Sequence, residues 1–296
     1  VGYDFAVLGN HEFDYGLEQL TALIEQSQAQ YLGCNIRYTG SEENALAALD
    51  SYQIVTYGEV KVAFIGISTP ESIAKSTPAY FMDDSGELVY DFYGGSGEEL
   101  YTQVQQTVAN CLAAGADYVI ALAHLGDDES SAPFRSTDLI AATNGIDVVL
   151  DGHSHSVISC DVIANKDGDP VLLSSTGTGL ANIGQLVITA SGNISTGLIG
   201  EYPDKDAPTT VFIQEIQDQY EAVLSQVVGY SDVDLTTMSD SGIRLIRSRE
   251  TNLGDFCADA YRVLAEADIA LVNGGGIRAD LAAGEITYGD LIAVHP

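Results

Sequence analysis

Basic side chains are scarce in this sequence of 296 residues, where 11 Lys and Arg stand against 43 Asp and Glu and give a net charge of −32. A surface this acidic repels nucleic-acid backbones and anionic membranes, so we expect neither as a partner. Long apolar runs are missing as well, since none approaches the roughly 18 residues that a membrane-spanning helix needs. No transmembrane segment is predicted. The lack of a leader-like first segment excludes nothing, because a mature or truncated chain would look the same.

Cysteine pairs and internal repeats are also absent. The four cysteines are widely spaced and form no Cys-x-x-Cys motif, and Cys34, Cys111 and Cys257 lie in apolar segments of strand or helix character. We predict that these three are buried free thiols, which do not indicate a redox compartment. A hydrophobic content of 46% together with 30 glycines is typical of a globular α/β protein and not of a disordered or fibrous one.

The order of the segments predicts the domain organisation. Short β-rich runs alternate with helical stretches through the first two thirds of the chain, which indicates parallel buried strands joined by helices. A segment rich in Pro, Asp and Thr follows, and after it comes an amphipathic helix. We therefore predict a first domain at 1–205, a linker helix at 206–228 and part of a second α/β domain at 229–296. Within the second domain, residues 268–276 are expected to begin as a strand.

Four of the five histidines directly follow apolar, strand-like runs, and a fifth polar residue precedes the first of them: His11, His124, His153, His155 and Asn10. In open α/β sheets, ligands bind in the loops beyond the carboxyl ends of the strands. His153 and His155 are two residues apart, so in an extended segment both imidazoles would face the same way. Imidazoles with a carboxamide suit Zn, Mn, Fe or similar divalent ions better than Ca. The pattern favours a metal site over unrelated structural histidines, and His295 has no such context.

The motif Gly-Asn-His-Glu-Phe-Asp adds a second chemical element. His11 and Asp14 are three residues apart, so the carboxylate can orient the imidazole through one ring nitrogen. The other nitrogen would then face a reacting group, as general acid–base chemistry requires. The alternative is that Asp14 caps the helix predicted to begin at Gly16.

These motifs resemble those of a known family. GNHEFD, ALAHLG and DGHSH resemble the later signatures of calcineurin-like metallophosphoesterases, and RETNLGDFCADA followed by NGGGIRADLAAGEITYGDL resembles the C-terminal domain of 5'-nucleotidases. The resemblance covers nearly the whole chain, and the two halves in this order are highly specific. It implies a layered β-sandwich flanked by helices, then a linker helix and part of a second α/β domain that binds substrate.

The resemblance also implies roles for residues. Asn10, His124 and His153 would bind one metal ion and His155 another, with His11 and Asp14 as the catalytic dyad. Arg247, Asn273 and Arg278 would bind the phosphate and nucleoside of the substrate. The arginine distribution supports this, because five of the seven arginines lie after residue 240 and guanidinium groups bind phosphate through paired hydrogen bonds. Arg244 and Arg249 are expected to have ordinary surface or ion-pair roles.

The implied reaction is the hydrolysis of nucleoside 5'-phosphates by a water that two divalent metal ions activate, with closure of the two domains about a hinge at 201–228. A nucleotide-sugar pyrophosphatase and a 2',3'-cyclic-nucleotide phosphodiesterase remain alternatives on the same fold. A third alternative is a non-catalytic surface protein that binds nucleotides and has lost its metal site. The preferred nucleotide and the oligomeric state are not indicated.

Two parts of the family pattern are missing from this sequence. They are the early Asp-x-His with the bridging Asp, and the late aromatic residues that stack on the base. We expect an internal fragment of a longer protein, which would hold at most one metal ion weakly and show little activity. The resemblance further implies a bacterial enzyme exported to the periplasm, the cell wall or the outside.

Overall fold

The computed structural model describes residues 2–41 and 44–296, and the chain divides into two compact units, Val1–Pro203 and Asp204–Pro296. The strands of the first unit are β1 Phe5–Val7, β2 Gln30–Leu32, β3 Ile36–Tyr38, β4 Tyr52–Tyr57, β5 Val60–Ser68, β6 Tyr90–Phe92, β7 Tyr118–His124, β8 Val148–Asp151, β9 Val157–Ala164, β10 Pro170–Thr176, β11 Ile183–Ile188 and β12 Ile194–Ile199. Its helices are α1 Leu17–Gln26, α2 Ser72–Lys75, α3 Glu98–Ala113 and α4 Ser136–Ala142, with 3-10 turns at His11–Phe13, Pro78–Phe81 and Glu129–Ser131.

The centre of the first unit is a six-stranded sheet in the order β4-β5-β7-β8-β10-β9. Strands β5, β7, β8 and β10 run parallel, and the edge strands β4 and β9 are antiparallel to their neighbours. The parallel strands are the continuous apolar runs of the sequence, as expected for strands buried on both faces. In the β5–β7 register Ser68 lies opposite His124, and in the β8–β10 register Asp151 lies opposite Ser175. Polar side chains therefore gather at one edge of the sheet.

Helix α3 covers one face of this sheet because its apolar residues recur at helical spacing. Leu100, Val104, Val108 and Cys111 are fully buried and belong to one core with strand residues of β5 and β7. Acidic residues occupy the first turn of α3, where they complement the helix dipole. The opposite face of the sheet packs against apolar residues of the β11–β12 hairpin. The result is a mixed α/β unit with a central sheet between layers.

The second unit is smaller and consists of α5 Ala207–Leu224, β13 Val227–Ser231, α6 Asn252–Leu264, a 3-10 turn at Gly274–Gly276, β14 Gly284–Thr287 and α7 Tyr288–Val294. Strands β13 and β14 form an antiparallel pair. The core of the unit comprises Ile246, Leu253, Cys257, Ile277, Leu281, Ile286 and Val294. Cys34, Cys111 and Cys257 are buried free thiols, which confirms the prediction, whereas Cys160 is exposed.

Two predicted features of the second unit differ in the structure. The predicted strand at 268–276 is wrong: residues 268–273 form no strand, Ile269 and Leu271 are 78% and 96% exposed, and Gly274–Gly276 form a 3-10 turn. A strand needs a hydrogen-bonded neighbour, and β13 and β14 pair with each other. Helix α5 forms, but no residue of it is buried, so its apolar stripe is exposed within the described residues. The three-part division at 205 and 228 stays a prediction.

The burial along α3 generates a stability prediction. Replacing the fully buried Leu100 with Ala should lower the free energy of unfolding by about 2–5 kcal/mol, because it removes apolar contacts and leaves a cavity. Leu112 is 47% exposed on the same helix, so Leu112→Ala is the matched control and should change stability by less than about 0.5 kcal/mol. Urea unfolding followed by circular dichroism measures both. Equal losses in the two variants would contradict the assignment of the buried face.

Candidate metal-binding and acid–base site

A buried carboxylate holds the loops that follow two neighbouring strands. Asp151, the last residue of β8, accepts hydrogen bonds through Oδ1 from the backbone N–H groups of Leu125 (2.9 Å) and Gly126 (3.2 Å), just after β7. Its Oδ2 accepts from the Ser136 hydroxyl at 2.6 Å. Burial raises the pKa of Asp151, and these hydrogen bonds offset part of that rise. The carboxylate thus fixes the end of β7, with His124, to the end of β8, which precedes His153.

Three predicted ligands meet at one point beyond these strand ends. The carboxamide oxygen Oδ1 of Asn10 lies 3.2 Å from His124 Nε2 and 3.0 Å from His153 Nδ1. The two imidazole centroids are 5.1 Å apart, with their planes at 58°. Asn10 is buried. The loop after β1, the end of β7 and the loop after β8 therefore each deliver one donor group to the same small volume.

Glycines beside the His124 ring make this approach possible. A Cβ on Gly9 would lie 2.7 Å from both Cε1 and Nε2 of His124 and 2.9 Å from Glu12 Oε2. Real Cβ atoms do not come this close to neighbouring heavy atoms, so only glycine fits beside the ring as it stands. The Gly9 N–H also donates to Glu12 Oε2 at 2.7 Å, which holds the turn in place.

His124 is neutral in this environment. Burial lowers its pKa to about 3, helped by the nearby imidazoles of His153, His11 and His155 and by the Lys75 ammonium group. The neutral imidazole is the form that binds metal ions.

The two histidines of the motif Asp-Gly-His-Ser-His adopt positive φ angles, 77° at His153 and 60° at His155. The expectation that an extended segment aligns these two side chains is therefore wrong, because the backbone here is left-handed.

The chemistry of the converging donors fits a metal ion. Within residues 2–41 and 44–296, no three His, Cys, Asp or Glu side chains are grouped so that they could hold one. The group that does converge consists instead of two imidazoles and the carboxamide of Asn10. Nitrogen and oxygen donors of this kind suit divalent ions of the Zn, Mn or Fe class. Asn10, His124 and His153 fit one such ion, and the binding of a second by His155 stays a prediction.

The predicted acid–base dyad is present as a hydrogen-bonded pair. His11 Nδ1 lies 2.7 Å from Asp14 Oδ2, and the second carboxylate oxygen of Asp14 accepts from the Ser76 hydroxyl at 2.9 Å. The His11 side chain is 57% exposed. The N-cap of α1 is Gly16 without a side-chain cap, so Asp14 does not cap that helix and the alternative role is wrong. The geometry is that of an imidazole oriented by a carboxylate for proton transfer.

Two charged residues that the sequence patterns did not indicate, Glu71 and Lys75, lie beside His153. Lys75 Nζ lies 3.0 Å from His153 Nε2 and 3.1 Å from Glu71 Oε2, and Glu71 Oε2 is 3.4 Å from His153 Nε2. Burial alone would raise the pKa of Glu71, but contacts with His153, Ser131 and Lys75 outweigh it and lower that pKa to about 2. The missed signal was an acidic residue four positions before a lysine, just after a buried strand.

The second unit brings the predicted substrate-binding residues to one turn. The guanidinium group of Arg247 covers Gly275, where a Cβ would lie 3.0 Å from Nη1. Arg278 Nη1 donates to the Gly275 carbonyl at 3.1 Å, and the Gly275 N–H donates to Asn273 Oδ1 at 3.0 Å. Burial lowers the pKa of Arg244, and the neighbouring Arg247 and Arg278 lower it further. Arg244 therefore lies close to two further guanidinium groups.

Each of the two units matches a known protein family. Residues 227–296 match the family described as 5'-nucleotidase, C-terminal domain, and residues 1–177 match the family described as bacterial capsule synthesis protein PGA_cap. All of this chain aligns with the trifunctional nucleotide phosphoesterase protein YfkN of Bacillus subtilis at 24% identity and with the snake venom 5'-nucleotidase of Gloydius brevicauda at 29%. The chain spans 22% of the length of the first of these proteins and 53% of the second.

Solved structures give the same picture of the fold. The 5'-nucleotidase precursor from Thermus thermophilus shares 26% identity and a TM-score of 0.80 over 99% of this chain and 58% of that one. The calcineurin-like phosphoesterase YfkN from Bacillus subtilis has a TM-score of 0.56 at 23% identity over 74% of this chain and 71% of that one. The predicted α/β fold class is confirmed as a mixed architecture with a central sheet flanked by helices.

The packing of Gly9 against His124 can be tested directly. Gly9→Ala should displace the His124 ring and lower the free energy of unfolding by about 1–3 kcal/mol, because the added methyl group overpacks the turn. The side-chain resonances of His124 in NMR spectra and urea unfolding measure the two effects. Gly197 has no atom within 4 Å of its would-be Cβ, so Gly197→Ala is the control. Unchanged His124 resonances in Gly9→Ala would contradict the packing argument.

Proposed function

Because this chain belongs to the 5'-nucleotidase family, with residues 1–177 falling within the family described as bacterial capsule synthesis protein PGA_cap, we propose that the protein hydrolyses nucleoside 5'-phosphates to nucleoside and phosphate. One observation carries the proposal. The nitrogen and oxygen donors of Asn10, His124 and His153 converge next to an imidazole–carboxylate pair suited to proton transfer. Phosphoester hydrolysis by a metal-activated water uses both functions in one place, and two relatives are named as a 5'-nucleotidase and a nucleotide phosphoesterase.

The metal-binding role belongs to the residues at the strand ends. Asn10, His124 and His153 would hold one divalent ion, and His155 would contribute to a second. Bound ions of this kind supply Lewis-acid activation of a water and neutralise charge on the phosphoryl group. The protein's part is to keep His124 neutral by burial and to hold the two imidazoles around the Asn10 oxygen.

His11 would handle the proton of the leaving group. Asp14 accepts a hydrogen bond from His11 Nδ1–H and stabilises the imidazolium that forms when Nε2 carries a proton as well. Ser76 holds the other oxygen of Asp14, so the carboxylate has a fixed orientation. The exposed His11 ring would then donate the Nε2 proton to the nucleoside oxygen as the phosphorus–oxygen bond breaks.

The arginine group in the second unit would recognise the nucleotide. The protein carries a net charge of −32, so an anionic substrate requires a local concentration of positive charge. Arg247 and Arg278 provide it beside the turn at Gly274–Gly276, and Asn273 orders the same turn. Guanidinium groups are suited to this task because they contact phosphate oxygens through two parallel hydrogen bonds.

An extracytoplasmic location is the final part of the proposal. Two relatives are named as a snake venom enzyme and as a cell wall protein, the latter from Listeria monocytogenes. Among the described residues, no helix combines the length and the apolar character needed to cross a membrane.

Removing the dyad should separate proton transfer from metal binding. His11→Ala and Asp14→Asn in the full-length protein should each lower kcat for hydrolysis of a nucleoside 5'-phosphate by about 10²–10⁴-fold, because general acid catalysis is lost. Metal content, measured by mass spectrometry after dialysis against Mn²⁺, should stay at the wild-type value. Loss of metal in either variant would overturn the dyad assignment. A substrate panel with a nucleotide sugar and a 2',3'-cyclic nucleotide separates the alternative phosphoesterases.

Removing a guanidinium group should affect substrate binding selectively. Arg247→Met should raise KM for a nucleoside 5'-phosphate by about 10-fold or more, because a charge-assisted hydrogen bond to phosphate contributes about 1.5–3 kcal/mol. Arg262 pairs with Asp259 on the exposed side of α6, so Arg262→Met controls for the loss of one positive charge. Steady-state kinetics measures both variants, and an equal rise in KM would show that only net charge matters.

A further inference from the structure

Two charged side chains, Lys75 and Glu71, lie near the same ring nitrogen of His153, Nε2. What they imply for metal binding at His153 rests on the proposed function. Lys75 and Glu71 lie at the end and just before the start of α2 Ser72–Lys75, directly after β5. Both reach His153 Nε2, at 3.0 Å and 3.4 Å. The other ring nitrogen, Nδ1, faces the Asn10 oxygen at 3.0 Å. We call Asn10, His124 and His153 the donor cluster. His153 thus contacts this cluster through Nδ1 and the residues at the two ends of α2 through Nε2.

The chemistry of these contacts defines the tautomer of His153. An ammonium group has only protons to donate, so Nε2 accepts a hydrogen bond from Lys75. The Asn10 atom is a carbonyl oxygen, which only accepts, so Nδ1 carries the proton and donates it. The His153 ring in the structure is therefore the Nδ1–H tautomer, and Lys75 stabilises it by donating to the opposite nitrogen.

A metal ion between the three donor groups requires the other tautomer. His153 would bind it through Nδ1, which must then present a lone pair, and the ring proton must move to Nε2. The proton released at one nitrogen is taken up at the other, so no net proton is lost. An Nε2–H group cannot accept from Lys75, but it can donate to Glu71 Oε2, 3.4 Å away.

Glu71 is prepared for that role. Its Oε2 is shielded from solvent and pairs with the Lys75 ammonium group, whose Nζ lies 3.1 Å away. An ionised carboxylate has about four acceptor sites, so Glu71 can accept a hydrogen bond from His153 Nε2–H while it stays paired with Lys75. Lys75 would keep Glu71 and the Ser131 hydroxyl, 3.4 Å from Nζ, as partners after leaving the imidazole. A carboxylate on the outer nitrogen of a metal-binding histidine is a common and energetically important contact.

We propose that Glu71 and Lys75 are alternative partners of His153 Nε2 that act in opposite directions on metal binding. Glu71 is a positioning residue, which stabilises the Nε2–H tautomer that a metal ion requires. Lys75 stabilises the Nδ1–H tautomer and so competes with the metal ion. Removing the two side chains should therefore have opposite effects on metal affinity, which a merely structural role for α2 would not produce.

The decisive experiment is a calorimetric titration of the EDTA-stripped protein with Mn²⁺. Glu71→Met removes the acceptor at similar volume and should weaken the Kd by about 10–100-fold. Lys75→Met removes the competing donor and should tighten the Kd by about 10-fold, the equivalent of one charge-assisted hydrogen bond. Glu71→Gln retains an acceptor oxygen and should recover part of the affinity. Glu25→Met and Lys166→Met, at exposed positions, control for net charge.

Long-range ¹H–¹⁵N NMR of the imidazoles provides a readout that is independent of activity. His153 should be the Nδ1–H tautomer in the stripped wild-type protein and shift toward Nε2–H in Lys75→Met. Weaker metal binding by Lys75→Met, or an Nε2–H ring in the stripped wild type, would overturn the proposal. A wild-type protein that binds no metal would overturn it together with the metal site. Metal binding with the expected opposite effects, but no phosphoester hydrolysis, would overturn only the proposed function.

Discussion

The register of the parallel pair β5–β7 determines where the rest of the first site can lie. Ser68 and His124 are opposite each other at the last step of this ladder, so the chain leaves both strands at the same level. A shift of one residue would turn His124 to the other face of the sheet. The buried Asp151 carboxylate transmits the same constraint to the end of β8, because it accepts from the two N–H groups that directly follow His124. The donor cluster is thus a product of strand register and one buried carboxylate.

The candidate sites carry neutral and positive groups although the protein as a whole is acidic. The chain is strongly acidic, yet the positions that would meet a phosphate ester carry neutral or positive groups. Burial keeps His124 neutral, Lys75 lies beside His153, and the second unit gathers Arg244, Arg247 and Arg278. Partial burial and then repulsion from Arg247 and Arg278 lower the pKa of Arg244, which is the cost of the last arrangement. Such a cost is expected where a site must attract an anion to an acidic protein.

The sequence allowed the central sheet and the positions of the histidines to be predicted, because both are local patterns. Continuous apolar runs identify the parallel strands, and a polar residue directly after such a run marks the edge where ligands bind. Features that depend on tertiary contacts could not be obtained in this way. Residues 268–272 have strand composition but lack a pairing partner among the described residues. The left-handed backbone at His153 and His155 is equally invisible in a residue pattern, since it is held by surrounding structure.

Helix α2 shows why the outer contacts of a site are harder to predict than its inner ones. Four residues give no periodicity to detect, and the Glu71–Lys75 spacing alone would suggest an ordinary surface pair. Only the proximity of His153 Nε2 gives the pair a chemical role. The inner contacts depend on close packing, because the His124 ring lies only 2.7 Å from where a Cβ on residue 9 would be. The outer contacts join flexible charged side chains that can exchange partners without moving the backbone. The site therefore combines closely packed donor groups with charged side chains around them, and the tautomer of the His153 ring links the two.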